Sequence, residues 1–522
     1  MSFKEQALLE CLSDENTTHH GGKNGRPFWN LQSLQFMYAP RFQFAVAPAC
    51  KRYLFTAKDY LGNLHTFEAE TPMALLSPIW NDIPEGMVEL KVEAINDKGE
   101  PWTLVGARTF YKSAPFQGTE YYPSKARSYR ECAVKALDFA FSLSYVQHWL
   151  TEGTPDPEYD FNVYPSKTIP ALIRAMITYA QIKPEKSADA LKLAKNAADF
   201  ILSIRYPEGH PLAYLTPTYY VDFRKNLEEY NNEAAVVRGH AVMMIYPAGV
   251  GEALLRLEAA TGEAKYLDAA IKIAEFYRDN LLPNGSWYLF VSATTGEPLQ
   301  DNYCLPYDIM KLATRLFERT KDETWKKLEE NCWNYILKNC LETYNWEGQF
   351  EDSAFSSTYS NLAHHPACYT IEHILENKQD DEKLLAETDD LMRFVEDQFV
   401  VWKDFAPAHW NHWRNPKQGG NIDEWYSPAV VEQYYWAMPV DASATTVMKS
   451  FIQMYKFKKD PILLAKARVL ADMITRMQDD SGFIPTQWMR KSCIEDREHF
   501  WLNCMLKVAE HMMYIAEFEE TL

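Results

Sequence analysis

From about Ser128 to its end, the chain repeats one pattern: an amphipathic helix alternates with a helix that is apolar around most of its circumference. ALKLAKNAADFILSI, YLDAAIKIAEFY, WKKLEENCWNYIL, LLAETDDLMRFVEDQF and LLAKARVLADMITRM place apolar residues at i, i+3, i+4 and i+7. TIPALIRAMITYA, AGVGEALLRLEAA, DIMKLATRLFE, ATTVMKSFIQMY and CMLKVAEHMMYIA are apolar on more sides, as a helix enclosed by others must be. The two kinds therefore form an outer and an inner layer. Pro165, Pro247, Pro306, Pro366 and Pro439 mark the starts of five inner helices, about 60 to 80 residues apart, and a sixth is expected near His499. Counted from Tyr129, this makes twelve helices in six hairpins. Helix pairs at a steady period stack into a solenoid or close into a ring, and six pairs predict a mostly α fold, an (α/α)6 barrel.

The first part of the chain has a different period. KRYLFTA and HTFEAE read as strands joined at Gly62-Asn63, and MVELKVEAI and TLVGARTFYK follow, with Val88, Leu90, Val92 and Ala94 on one face. The expected organisation is an N-terminal extension over residues 1–25, a small antiparallel β-sandwich of fibronectin-type-III-like order over 26–116, and a barrel over 117–522. PFQGTEYYPSKA is too short for a free linker, so the β-module is expected to pack on the barrel.

Lys and Arg number 53 against 72 Asp and Glu, a net charge of -19, which disfavours nucleic acid and anionic membranes. No apolar run is long enough to span a membrane. The start, MSFKEQALLECLSDENTTHHGG, has no signal-peptide h-region. A chain native from Met1 is expected in the cytoplasm, and one that has lost a signal peptide in the periplasm. The nine cysteines are scattered without a C-x-x-C and read as buried or idle thiols. Nucleotide-binding glycine motifs, G-x-S-x-G and H-E-x-x-H are all absent, so neither cofactor nor metal is expected. The 15 Trp, 31 Tyr and 27 Phe fit either a large aromatic core or faces on which sugar rings stack.

The loops leading into inner helices, 205–245, 282–305, 341–365 and 400–441, far exceed ordinary connections, whereas the opposite turns, such as ATGEAK and ERTKDE, are short. One end of the barrel is therefore its working face. LETYNWEGQFEDSAFSSTYSNLAHHP sets Glu347, Glu351 and Asp352 among Trp346, Phe350, His364 and His365. A carboxyl desolvated by aromatic rings gains pKa and can serve as a general acid. Glu351 is the first choice for that role. Asp352, next in an extended chain, points the other way. The partner carboxylate is sought on another loop: Glu432 or Asp441, with Asp160 and Asp308 behind them. Asp308 also fits a plain helix N-terminal carboxylate. Arg238 offers a fork for a substrate carboxylate, with His240 and Tyr246 beside it, and Tyr164 stands before the first inner helix. Trp346, Trp425 and Trp488 are expected to line the cleft.

On PFWNLQSLQFMYAP, YPSKTIPALI, RGHAVMMIYPAGVGEALL, NWEGQFED and EWYSPAVVEQYYWAMPVDAS, over about residues 26 to 520, the chain resembles the bacterial β-glucuronidases of glycoside hydrolase family 154. More distantly it is similar to unsaturated glucuronyl hydrolases and to barrel-type uronate lyases and epimerases. The resemblance implies a substrate with terminal β-linked glucuronic acid on an oligosaccharide or polysaccharide, and it transfers no catalytic residue. Three readings stay open: a hydrolase with two carboxylates, a uronate lyase or C5-epimerase using Arg238, His240 and Tyr246, and a glycan-binding protein without catalysis. A homo-oligomer is compatible with each.

Overall fold

The computed structural model describes residues 35–42, 44, 46–48, 50–222, 239–351, 362–404, 425–433, 438–488 and 500–522. Its helices, in chain order, are α1 Ser77–Trp80, α2 Tyr129–Ser142, α3 Ser144–Thr151, α4 Pro165–Ile182, α5 Ser187–Ser203, α6 Tyr246–Thr261, α7 Ala264–Asp279, α8 Tyr307–Thr320, α9 Glu323–Ile336, α10 His364–Asn377, α11 Glu382–Phe399, α12 Asp441–Lys458, α13 Pro461–Met477 and α14 Leu502–Glu519. Outer helices bury a single stripe. In α5 it is Ala190, Leu193, Ala194, Ala197, Ala198 and Ile201, the i, i+3, i+4, i+7 series, and its alanines let the helix lie close on α4. Inner helices are enclosed: α12 buries every residue from Asp441 to Met448.

The six inner helices are α4, α6, α8, α10, α12 and α14. Neighbours in this ring pack directly at α4–α6, α6–α8, α10–α12, α12–α14 and α14–α4. Between α8 and α10, the Tyr307 hydroxyl pairs with Thr370 Oγ1 at 2.9 Å, and the Tyr307 and Tyr369 rings lie 5.9 Å apart. The fold is thus the expected (α/α) barrel. Each inner helix turns tightly into the outer helix that follows it, except the last: α14 packs on α2, the first. Ring closure is stitched by Arg130–Glu520 at 2.7 Å, by Tyr129 Oη donating to Asp472 at 2.6 Å, and by Tyr159, whose hydroxyl accepts from Leu502 N and donates to Phe500 O at 3.1 Å each. The sixth inner helix starts at Leu502, close to the expected position, and α12 starts two residues after Pro439.

Strands β1 Gln35–Phe36, β2 Tyr53–Asp59, β3 Leu64–Ala69, β4 Gly86–Ile95 and β5 Pro101–Lys112 form one sheet in the order β1-β5-β4-β2-β3. The alternation in β4 is as read: Val88, Leu90, Val92 and Ala94 face inward. The expected sandwich is corrected in two respects. Among the described residues of 26–116 there is a single sheet, and its edge strand β1 runs parallel to β5. Its inner face is covered by Phe36, Phe42, Phe44, Leu76, Ile79 and Trp80, so helical and irregular chain replaces a second sheet. The sheet region docks on the end of α11: Asp397 Oδ1 accepts from Met37 N at 2.6 Å and Tyr38 N at 2.9 Å, Phe116 packs edge-on against Trp402 at 5.0 Å, and Lys403 pairs with Glu85 at 2.9 Å.

The long loops converge as expected and are stitched to one another. β6 Ala241–Met243 pairs with β7 Phe290–Ser292, and β8 Val400–Val401 pairs with β9 Ala429–Val430. Single bridges join Glu347 to Leu362, Ala363 to Gln433, Val431 to Pro439 and Val440 to Gln487. At the seam between α13 and α2, Gln478 Nε2 donates to Cys132 O at 2.9 Å and to Gly482 O at 3.0 Å. Gly482 has φ +98°, and a Cβ there would lie 2.2 Å from the Lys135 carbonyl oxygen. Gly482→Ala should therefore cost roughly 1–3 kcal/mol of unfolding free energy. Chemical denaturation tests this, and an unchanged midpoint would show that the seam yields freely.

Candidate functional site

On each inner helix, one face is polar. Along α4, Lys167, Arg174 and Gln181 recur every seven residues, with Pro170, Ala171 and Thr178 between them, and this stripe lines a cavity of about 710 Å³ on the barrel axis. All six inner helices contribute, from first turns that carry Lys167, Tyr246 and Asp308 and second turns that carry Tyr369 and Lys507 to last turns that carry Glu318, Asn377 and Glu517. The lining holds as many Lys and Arg as Asp and Glu, in a protein whose net charge is -19. Midway down, Glu252 is shared by Arg256 at 2.6 Å and Arg174 at 3.9 Å, and Glu510 by the same two at 3.6 and 3.5 Å.

Glu351 stands at the working end, behind the cavity wall. Its two carboxylate oxygens meet the Lys167 ammonium and the Tyr246 hydroxyl, and its carbonyl accepts from the Tyr219 hydroxyl. Burial opposes its charge, but the Lys167 charge and the hydrogen bonds from Lys167 and Tyr246 outweigh burial and hold the carboxyl below its usual range. Glu351 is therefore ionised. This corrects its sequence-based role, because an ionised carboxylate has no proton to donate. The aromatic setting that suggested a raised pKa is present, but a cation absent from the same loop decides the outcome.

Three other carboxyls are shifted upward. Asp308, in the first turn of α8, lines the cavity; burial raises it against the pull of Lys311 and Arg174. Asp441 is wholly buried and raised well above the carboxylate range by burial; Oδ1 accepts from Ala442 N at 2.6 Å, and Oδ2 is buried without a partner. Glu347 is pushed up to about 8 by burial, although Asn302 Nδ2 donates to it at 2.8 Å and Gln349 Nε2 at 3.2 Å. It ties two loops together away from the cavity lining. Glu432 is partly buried; its carbonyl lies 3.1 Å from His364 Nδ1, and its charge adds to the upward shift of Asp441. Burial, with Lys507 adding to it, pushes His364 down to about 3, and burial pushes His365 well below its usual value, so both imidazoles are neutral.

The remaining expected residues divide. Tyr246 lines the cavity. Tyr164 is buried one ring away, its centroid 5.9 Å from that of Tyr219. Asp160 and His240 are not in the cavity lining, and His240 is exposed ahead of β6. Trp346, Trp425 and Trp488 are 0%, 3% and 0% exposed, so the expectation that they line a cleft is corrected: their rings lie in the interior beneath the loop ends. Arg238 and Asp352 lie outside the described residues. Sequence reading missed Lys167, Tyr219, Tyr369 and Lys507. The signal was available for the lysines: a charge inside an otherwise apolar inner helix, as in YPSKTIPALI and CMLKVAEHMM, must face a polar interior.

No protein-family model and no curated protein matches the chain. Among solved structures, it is similar to a D-mannose isomerase, with TM-score 0.51 and 10% identity over 75% of this chain and 97% of that one. It is also similar to an unsaturated glucuronyl hydrolase from Streptococcus agalactiae, with TM-score 0.48 and 9% identity over 78% and 97% of the two chains. A family 76 glycoside hydrolase from a bovine Bacteroides thetaiotaomicron strain gives TM-score 0.48 and 12% identity over 90% and 93%. At such identities the likeness is one of fold, the (α/α) barrel.

Glu347 makes a stability prediction. Its folded pKa of about 8 lies above the ordinary value of 4.5, so its contribution is intact below pH 4.5 and is lost as pH rises toward 8. Glu347→Gln removes that dependence. The variant should gain on wild type steadily between these limits and hold a constant lead above them, as read by urea unfolding across the range. Parallel pH curves would mean that Glu347 is not buried in its neutral form.

Proposed function

We propose that the protein is a carbohydrate-active enzyme, a glycoside hydrolase that removes terminal β-linked glucuronic acid from oligosaccharides or polysaccharides. One observation carries this reading: at the working end, a carboxyl on the cavity wall and a carboxyl just behind it are shifted in opposite directions. Glu351 is ionised by Lys167 and Tyr246, and Asp308 on the cavity wall is shifted toward its protonated form by burial. Environments that push two carboxyls apart in pKa are what an acid and a base working together require. Asp308 protonates the departing glycosidic oxygen, and Glu351 takes the proton of the attacking water. The resemblance to family 154 β-glucuronidases supplies the sugar, and the match of Lys and Arg to acids in the lining supports an anionic one. The sheet, docked where α11 leads into the 400–441 loop, forms one rim of the working face under this reading.

The test is product analysis on a glucuronide-capped oligosaccharide. Free glucuronic acid is expected. An unsaturated product would make the protein a lyase, C5 deuterium exchange without cleavage an epimerase, and binding alone a glycan-binding module. Asp308→Asn should lose about 10²–10⁴ in rate on an alkyl glucuronide and much less on a phenyl glucuronide, whose leaving group needs little protonation. If Asp441→Asn shows that split and Asp308→Asn does not, the proton comes from Asp441.

Lys167→Met should move the acidic limb of the kcat/KM profile to higher pH. The carboxylate of Glu351 loses the cation that keeps it ionised, so it takes up a proton sooner as pH falls. A rate loss with an unmoved acidic limb would show that Glu351 is not the base.

A further inference from the structure

Two cations of the cavity wall differ from the rest. Lys167, Arg174, Arg256, Arg315 and Lys449 each have a carboxylate within ion-pair distance. Lys507 of α14 and Lys311 of α8 have none among the described residues. The closest polar contact of Lys507 is the Tyr369 hydroxyl, at 3.4 Å. Both lysines face the cavity from opposite sides of the ring, and both act electrostatically on Asp308 and Glu372. Lys507 is half-buried and Lys311 is exposed; a half-buried ammonium without an anion costs free energy, and it is retained where an incoming anion completes the pair.

We infer that Lys507, assisted by Lys311 and the Tyr369 hydroxyl, is the seat of the substrate's carboxylate. The inference deepens the reading of the cavity as a glucuronide site and rests on it. Lys507 lines the same cavity as Asp308, and α14 stands across the ring from α8, so a sugar ring whose carboxylate meets the ammonium presents its glycosidic oxygen to the acid. Lys507 thereby sets the preference for a uronate over the neutral hexose, a role separate from proton transfer.

Binding and turnover are measured separately. Glucuronate, glucose and glucose 6-sulfate are titrated calorimetrically into wild type, Lys507→Met and Lys507→Arg. Wild type should bind glucuronate and not glucose. Lys507→Met should lose roughly ten- to a hundred-fold in glucuronate affinity, and Lys507→Arg should keep most of it. Lys507→Met should also melt no lower than wild type, since it removes an unpaired buried charge. In turnover the loss should fall on KM for a glucuronide, with that for the matching glucoside unmoved. Equal glucuronate affinity in wild type and Lys507→Met overturns the inference, as does an equal loss on glucuronide and glucoside or a preference for the sulfate. If wild type binds glucuronate through Lys507 but releases none from glycans, the hydrolase reading fails and this inference stands. If it hydrolyses glucuronides and Lys507→Met binds as wild type does, the reverse holds.

Discussion

The Lys167–Glu351 ion pair joins the first inner helix to the loop that enters the fourth. Neither charge would remain buried alone; removing one partner of such a pair typically costs about 3–5 kcal/mol. The same glutamate meets the hydroxyls of Tyr219, in the loop before the second inner helix, and Tyr246, in that helix. The buried carboxylate thus gathers the first inner helix, the second and the loop that enters the fourth, and its backbone carbonyl adds the loop of Tyr219. The working end of the barrel draws on these contacts, beside the strand pairing of β6 with β7 and the hydrogen bonds of Glu347 and Gln349 that join neighbouring loops.

A barrel with polar inner stripes must balance charge along its axis. The Arg174–Glu252–Arg256–Glu510 cluster does so in the middle of the cavity. Toward the loops the balance is left incomplete, with cations that no described carboxylate neutralises and an acid that burial shifts toward its neutral form. The negative charge lies mainly on the outside of the protein. An anionic sugar approaching the site therefore leaves a repulsive exterior for an interior where cations equal acids, and the field is focused by low-dielectric helix walls.

Three buried carboxyls on the working side show how far environment outruns residue type. Glu347 and Glu351 share a loop and an aromatic setting. One meets only amides and stays protonated past neutral pH; the other meets an ammonium and stays ionised. Asp441, at a helix start where the dipole favours charge, is nonetheless raised by burial, and its second oxygen finds no donor among the described residues. The tryptophans give the same lesson in packing. Large rings near carboxylates resemble a sugar platform in sequence, yet Trp346 and Trp488 fill the space beneath the loops.

The alternation of two helix types, the helix-start prolines and the contrast between long and short connections are properties of periodicity and length. They are local, and from them the sequence by itself determined a ring of six helix pairs with one working end. The alternation in β4 likewise fixed which residues face inward. What packs against a face is not local, so the single sheet with its parallel edge strand, the pairing of α14 with α2 and the docking on α11 were settled only in three dimensions. The protonation of the site belongs there too. A carboxyl's pKa follows from how deeply it is buried and which cation reaches it, and Lys167 reaches Glu351 from a helix 184 positions earlier in the chain.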